Sequence, residues 1–244
     1  MADVIKLEPL SFDEAIEFFK TKVALTPKQF AKLEEAVRAR AFTVGGITAL
    51  NVLKDILAEL TKALEAGTTI VEFRKNINDK LAAKGWDGLT PYRADNIFRT
   101  QIQTAYQVGR WKQITDPDVV QYRPYLIYDA VNDKRTRLAH LAMDGVTRRW
   151  DDPFWNTFYP PNGFRCRCSV RTASERDIKR EGIKVETGAV PSIREVPNGP
   201  AIPVNPDIGF DRNAAKDAWQ PDLSKYPDKL RQAFEKRQKG KNAV

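Results

Sequence analysis

A chain of 244 residues, 42% hydrophobic and 30% charged, has material for one sizeable core or two modest domains. Aromatic residues at 10%, five Trp among them, exclude disorder throughout, and a mean hydropathy of −0.50 with no long uncharged apolar run excludes a membrane-spanning helix. The charge, 40 Lys and Arg against 32 Asp and Glu, falls unevenly: residues 1–120 hold 17 basic and 16 acidic residues, residues 121–244 hold 23 and 16.

A net +8 suits a polyanionic partner, whether nucleic acid or an acidic protein face, and equally suits a merely soluble basic surface. Asp3, Lys6 and Glu8 stand where the apolar segment of a signal peptide would lie, so the expectation is a protein that stays in a cytoplasm after synthesis. The only two cysteines, Cys166 and Cys168, cannot build a disulfide framework, and stability must come from burial.

Taken in order, the first 115 residues read as helices near 12–22, 27–42, 46–66, 70–84 and 91–115. Ser11 with Glu14, Thr26 with Gln29 and Thr69 with Glu72 have capping-box spacing, and Pro27 and Pro91 suit first-turn positions. Gly67 and Gly85 are placed to end the third and fourth helices. Leu50, Leu53, Leu57, Leu60 and Leu64 share one stripe, to be covered by a helix of the same bundle or by a partner subunit. Ile70, Phe73, Ile77 and Leu81 form a core face on the next helix.

Beyond Asp116-Pro117 the pattern turns β-prone. Tyr122 to Asp129, interrupted by Pro124, predicts a strand at the edge of a small sheet. A short helix follows over Lys134 to Met143 with Gly145 as its stop, and Trp150 to Gly163 reads as an ordered loop with little regular structure. A strand at Cys168 to Thr172 and a helix at Ser174 to Arg180 complete this region. Seven of fifteen prolines lie beyond Gly182, which predicts an arm that wraps a core or reaches a partner, closing in a basic amphipathic helix over 227–239.

The chemistry-bearing residues cluster in the middle: Arg99-Thr100, Asp129, Arg135-Thr136-Arg137, His140, Asp144-Gly145, Pro160-Pro161 and Cys166-Arg167-Cys168. On a helix Arg137, His140 and Asp144 would share a face. Together with Asn205-Pro206-Asp207-Ile208-Gly209-Phe210 and Asn213, this order resembles the phage Mu F-like minor head proteins over roughly residues 90–215. Two departures stand out: Asn162-Gly163-Phe164 where many relatives have a His, and Asn213-Ala214-Ala215 where relatives commonly have a Gly after the Asn.

The expected architecture is therefore α+β: an amino-terminal helical region (1–90), a small mixed Mu F-like domain (91–181) and an extended Pro-rich arm with a basic terminal helix (182–244). The resemblance implies a virion protein at the portal vertex, made in the host cytoplasm and needed for head morphogenesis and DNA packaging or delivery. Its implied partners are the portal protein, the major capsid or scaffolding protein and packaged DNA, with no membrane and no cofactor. Arg99, Asp129, Arg135, Arg137, His140 and Asp144 are read as a structural ion-pair and hydrogen-bond network.

Residues 134–180 hold eleven basic and five acidic residues, and 225–244 hold seven and two. These patches make Arg148, Arg149, Lys225, Lys229, Arg231, Lys236, Arg237, Lys239 and Lys241 the candidates for DNA contact. Trp150, Phe154, Trp155, Phe158 and Tyr159 either stack on bases or pack over the sheet. The residues carry no nucleophile motif or phosphate-cradling loop, so the expectation is not an enzyme. An enzyme acting on nucleic acid or a nucleotide would use His140 as its base; a metal-stabilised DNA-binding module would use His140, Cys166 and Cys168. A single residue between the cysteines is unusual for one ion, and reduced buried thiols or a labile disulfide are the other readings.

Overall fold

The computed structural model describes residues 12–33, 35–190 and 192–216. The fold is α+β, with the long helices gathered in the first half and the three-stranded sheet in the second. The first half is built from α1 (Asp13–Lys20), α3 (Leu50–Ala66), α4 (Ile70–Ala82) and the long α5 (Pro91–Ile114). Thr69 and Thr26 form complete capping boxes, Thr90 caps α5 through the Arg93 N–H, and Gly67 ends α3 at a left-handed φ of +63°. The N-cap of α1 is Phe12, which makes no side-chain cap, while Ser11 of the expected box lies outside the described residues.

The leucine stripe is covered within the chain. Leu53 and Leu60 are fully buried beside Ile56, and they join Phe19, Phe73, Ile77, Leu81, Ala94 and Val108 in one cluster from four helices. Burying such side chains is worth roughly 1.5–3 kcal/mol each, which holds α3 against its neighbours. The expected helix 27–42 does not form as one piece. Its capping box opens only α2 (Pro27–Phe30), followed by a 3₁₀ helix (Glu35–Arg40) and a two-residue strand β2 (Ala41–Phe42) parallel to β1 (Val23–Ala24). Phe42 is fully buried in the helical cluster, and placing it there outweighs the helical spacing of the segment.

After a four-residue α6 (Pro117–Val120), the second half centres on an antiparallel sheet in the order β4-β3-β5. Strand β3 (Tyr125–Asp129) pairs on one side with β4 (Thr147–Arg149) and on the other with β5 (Ser169–Ala173), so the expected edge strand is the central one. Pro124 stands just before β3 and costs the ladder no N–H. The expected helix 134–143 shortens to α7 (Leu138–Leu141), because Asp133 and Thr136 bind the backbone of 131–135 as a turn. The aromatic loop contains α8 (Phe154–Thr157), and α9 (Glu175–Glu181) starts in the Ser174/Asp177 capping box.

Within the Pro-rich arm, β6 (Ile193–Glu195) and β7 (Ala201–Pro203) form a hairpin whose Val196 and Val204 are buried in the second core. That core also holds Trp111 and Ile114 of α5, Leu126, Tyr128, Phe154, Trp155, Tyr159 and Val170, so α5 serves both clusters. The aromatic loop thus packs over the sheet, with Trp155 buried and its indole N–H donating to the Arg149 carbonyl at 2.8 Å. The expected terminal helix 227–239 lies outside the described residues.

Candidate functional site

Helix α5 sets the frame. Strand β5 is an edge strand, and its outward carbonyls repeat every second residue, at Cys168, Val170 and Thr172. Gln103 and Gln107 donate to the Cys168 carbonyl at 3.0 and 3.1 Å, Arg110 to that of Val170 at 3.1 Å, and Arg123 to that of Thr172 at 2.7 Å. One helical turn and two strand residues advance by similar distances, about 5.4 and 6.6 Å, so a polar helix face matches the row of acceptors. An exposed edge is thereby closed. These four residues were not singled out from sequence; the i, i+4, i+7 recurrence of Gln103, Gln107 and Arg110 is the signal that marks them.

The paired cysteines enter β5 from a buried loop, residues 159–163, that follows the aromatic segment. Arg165 takes a left-handed φ of +59°, its N–H donating to Thr100 Oγ1 at 3.1 Å, and the chain then extends. Extended residues two apart face the same side, so Cys166 and Cys168 both turn inward while Arg167 points outward to Asp133, 2.8 Å away. Inside, His140 Nδ1 of α7 lies 3.6 Å from each sulfur. All three residues are buried, and their donor atoms lie within 4.8 Å of one another.

The surroundings separate the two thiols electrostatically. A hydrogen bond with Cys168, with the Asn162 and Cys168 backbone N–H groups adding to it, lowers the Cys166 thiol to about 7 against burial; the same pairing and burial push Cys168 up. The Tyr128 hydroxyl, itself raised by burial, lies beside Cys168 and donates to Asn162 Oδ1 at 2.9 Å. These are donors for a soft metal or members of a hydrogen-bonded thiol pair. His140, the base an enzymatic reading requires, is turned toward sulfur inside the core.

The expected six-residue network is not one network. Arg99 pairs with Asp95 at 2.7 Å, and Arg165 reaches the same carboxylate at 2.8 Å. Arg135 lies 3.6 Å from Asp133, and Arg137 pairs with Asp207 at 3.3 Å. Asp144 accepts the Ala130 N–H at 2.8 Å and the Asn132 amide at 3.0 Å, pinning the chain after β3. Asp129 is exposed and makes no ion pair or side-chain hydrogen bond among the described residues. Arg137, the N-cap of α7, contacts no carboxylate on its own element.

The late motif folds back onto the same place. Asp207 N–H donates to the Asn162 carbonyl at 2.9 Å, Phe210 meets Phe164 edge-on with 4.9 Å between ring centroids, and the backbone N–H of buried Asn213 donates to the Asn156 carbonyl. A Cβ at Gly163 would lie 2.8 Å from Arg137 Nη1 and 2.9 Å from Asp207 Cγ, so any larger residue here would have to push that ion pair aside. Of the DNA-contact candidates, Arg148 is corrected: its side chain is 1% exposed, held by Asp152 at 3.3 Å, Glu186 at 3.8 Å and the Gly188 carbonyl at 2.7 Å. Arg149 is exposed and pairs with Asp151 at 3.1 Å. Lys225, Lys229, Arg231, Lys236, Arg237, Lys239 and Lys241 lie outside the described residues.

The family model for Phage Mu protein F like protein matches residues 54–171, a span that contains α5, the sheet's central strand and the cysteine pair. The chain is 31% identical over 245 aligned residues to the "Putative capsid assembly protein F" of Escherichia phage Mu, covering 86% of this chain and 55% of that protein. It is 38% identical over 165 residues to the "Mu-like prophage FluMu F protein" of Haemophilus influenzae, covering 63% of this chain and 39% of that one. The chain thus spans about half the length, or less, of the curated relatives it matches. No solved structure matches it. Among the described residues no helix is long and apolar enough to cross a membrane.

Proposed function

Because the chain belongs to the phage Mu F-like family, we propose that it is a head-assembly protein, a minor component seated at the portal vertex that assists DNA packaging or delivery. The observation that carries this reading is the alignment of 86% of the chain with a relative named for capsid assembly. The geometry supports a scaffold role. Of the residues of the resemblance, His140, Cys166 and Cys168 meet in one buried cluster, Arg137 and Asp207 join the returning arm beside it, and there Phe164 is half-exposed and Ile208 fully exposed. Such apolar groups give a protein partner surface to bury.

The portal protein is the proposed partner, with major capsid or scaffolding protein and packaged DNA as further contacts. Co-expression with the portal protein of the same phage or prophage tests it: a complex that co-elutes at physiological salt is expected. A portal that assembles normally and leaves this chain behind would refute the portal placement. For DNA, the basic residues of 225–244 are the proposed contact, because Arg135, Arg137, Arg148, Arg149, Arg165, Arg167, Arg171 and Arg180 already face carboxylates within the fold.

A further inference from the structure

The 244 residues contain one His and two Cys, and the fold brings all three together in its second core. We propose that His140, Cys166 and Cys168 form a structural site for a single zinc ion, which ties α7 to the start of β5.

The separations carry the case. Zinc takes thiolate sulfur at about 2.3 Å and imidazole nitrogen at about 2.0–2.1 Å in tetrahedral arrangement, which puts nitrogen and sulfur roughly 3.6 Å apart. Both nitrogen-to-sulfur distances here are 3.6 Å, and no pair of the donor atoms exceeds 4.8 Å. His140 is placed by α7 and the two sulfurs by the segment that leads directly into β5, in which the residues two apart both turn toward His140. One residue between the cysteines, unusual when read from sequence, is the spacing an extended chain needs to present two sulfurs on one face.

Charge supports the same ion. Two thiolates neutralise a divalent cation and the imidazole adds a neutral donor, so the loaded centre carries no net charge into a core where an unpaired charge is costly. The Asn162 and Cys168 backbone N–H groups face the Cys166 sulfur, the arrangement that steadies a metal-bound thiolate. The fourth position falls to a water or to the Tyr128 hydroxyl beside Cys168. The proposal stands independently of the head-assembly reading, since it concerns what holds the second core together.

The test uses the full chain produced without a polyhistidine tag, so that these are its only imidazole and thiols. Elemental analysis should find about one zinc per chain, and cobalt exchanged into the protein should give the intense absorption of thiolate-to-cobalt charge transfer. Both thiols should resist a colorimetric thiol reagent until a chelator is added. Cys166→Ser and His140→Ala should each lose the metal; should either fail to fold, the cobalt spectrum and thiol protection of the unaltered chain decide. A metal-to-chain ratio near zero after incubation with zinc, cobalt without charge-transfer bands, or a mass 2 Da low from a Cys166–Cys168 disulfide would each overturn the proposal.

Discussion

Arg148 shows how far a residue's role departs from its type. It sits on β4 with its guanidinium over the Phe154 ring, 5.0 Å from the centroid, and with Asp152, Glu186 and the Gly188 carbonyl around it. Removing it leaves Asp152 without its cation, whereas Glu186 keeps Arg194 at 2.8 Å, and with the buried packing also lost Arg148→Ala should cost about 3 kcal/mol. Urea denaturation measures this; a loss below ~1 kcal/mol would equate these pairs with exposed ones. Nothing in Arg148-Arg149 distinguishes the buried arginine from the exposed one except strand alternation, and that reads only after the register with β3 is known. His140 is similar: its grouping with Cys166 and Cys168 was one of several readings open to the sequence, and only the fold places its Nδ1 3.6 Å from both sulfurs.

Among elements, the capped helices were the most legible. Thr69 with Glu72 and Ser174 are local signals, and both open helices where expected. In the second, the Asp177 carboxylate accepts the Ser174 N–H and hydroxyl, which lowers it from 3.8 to about 2. A carboxylate depressed on folding contributes stability above its unfolded pKa of about 3.9, and that contribution fades as pH falls toward its folded value. NMR titration should therefore place the Asp177 midpoint near 2; a midpoint at 3.8 would mean the box does not hold in solution.

Less legible was how closely elements approach. Near the carboxyl end of α5, Gly109 lets α1 come so near that a Cβ there would lie 2.8 Å from the Ala15 backbone nitrogen. Gly109→Ala gains about 1 kcal/mol of helix propensity yet should destabilise the protein by roughly 1–3 kcal/mol through overpacking. A thermal melt decides, and a raised midpoint would show that α1 can yield. The segment 27–42 failed as a helix for the complementary reason: the core claimed Phe42 in a strand, and local spacing could not register that demand.

At the scale of the whole molecule, the net charge of +8 overstates what is free to act. The arginines of 134–180 are largely engaged by carboxylates from α5, the turn after β3, and the returning arm. Replacing Lys229, Arg231, Lys236 and Arg237 together by Ala should abolish retention on immobilised DNA at low salt, whereas Arg149→Ala should leave it nearly unchanged. Equal losses from both would return the contact to the sheet face.

The sequence by itself determined the α+β class, the positions of α3, α4, α5, β3 and β5 within a few residues, and the family, because apolar periodicity, caps and motif order are properties of neighbouring residues. Only the tertiary structure decided that β3 is central, that Gln103, Gln107 and Arg110 close the edge of β5, and that the chain's one His meets its two Cys. Those contacts join residues 20 to 65 positions apart, and at such separations it is core packing and strand register, not local propensity, that selects partners.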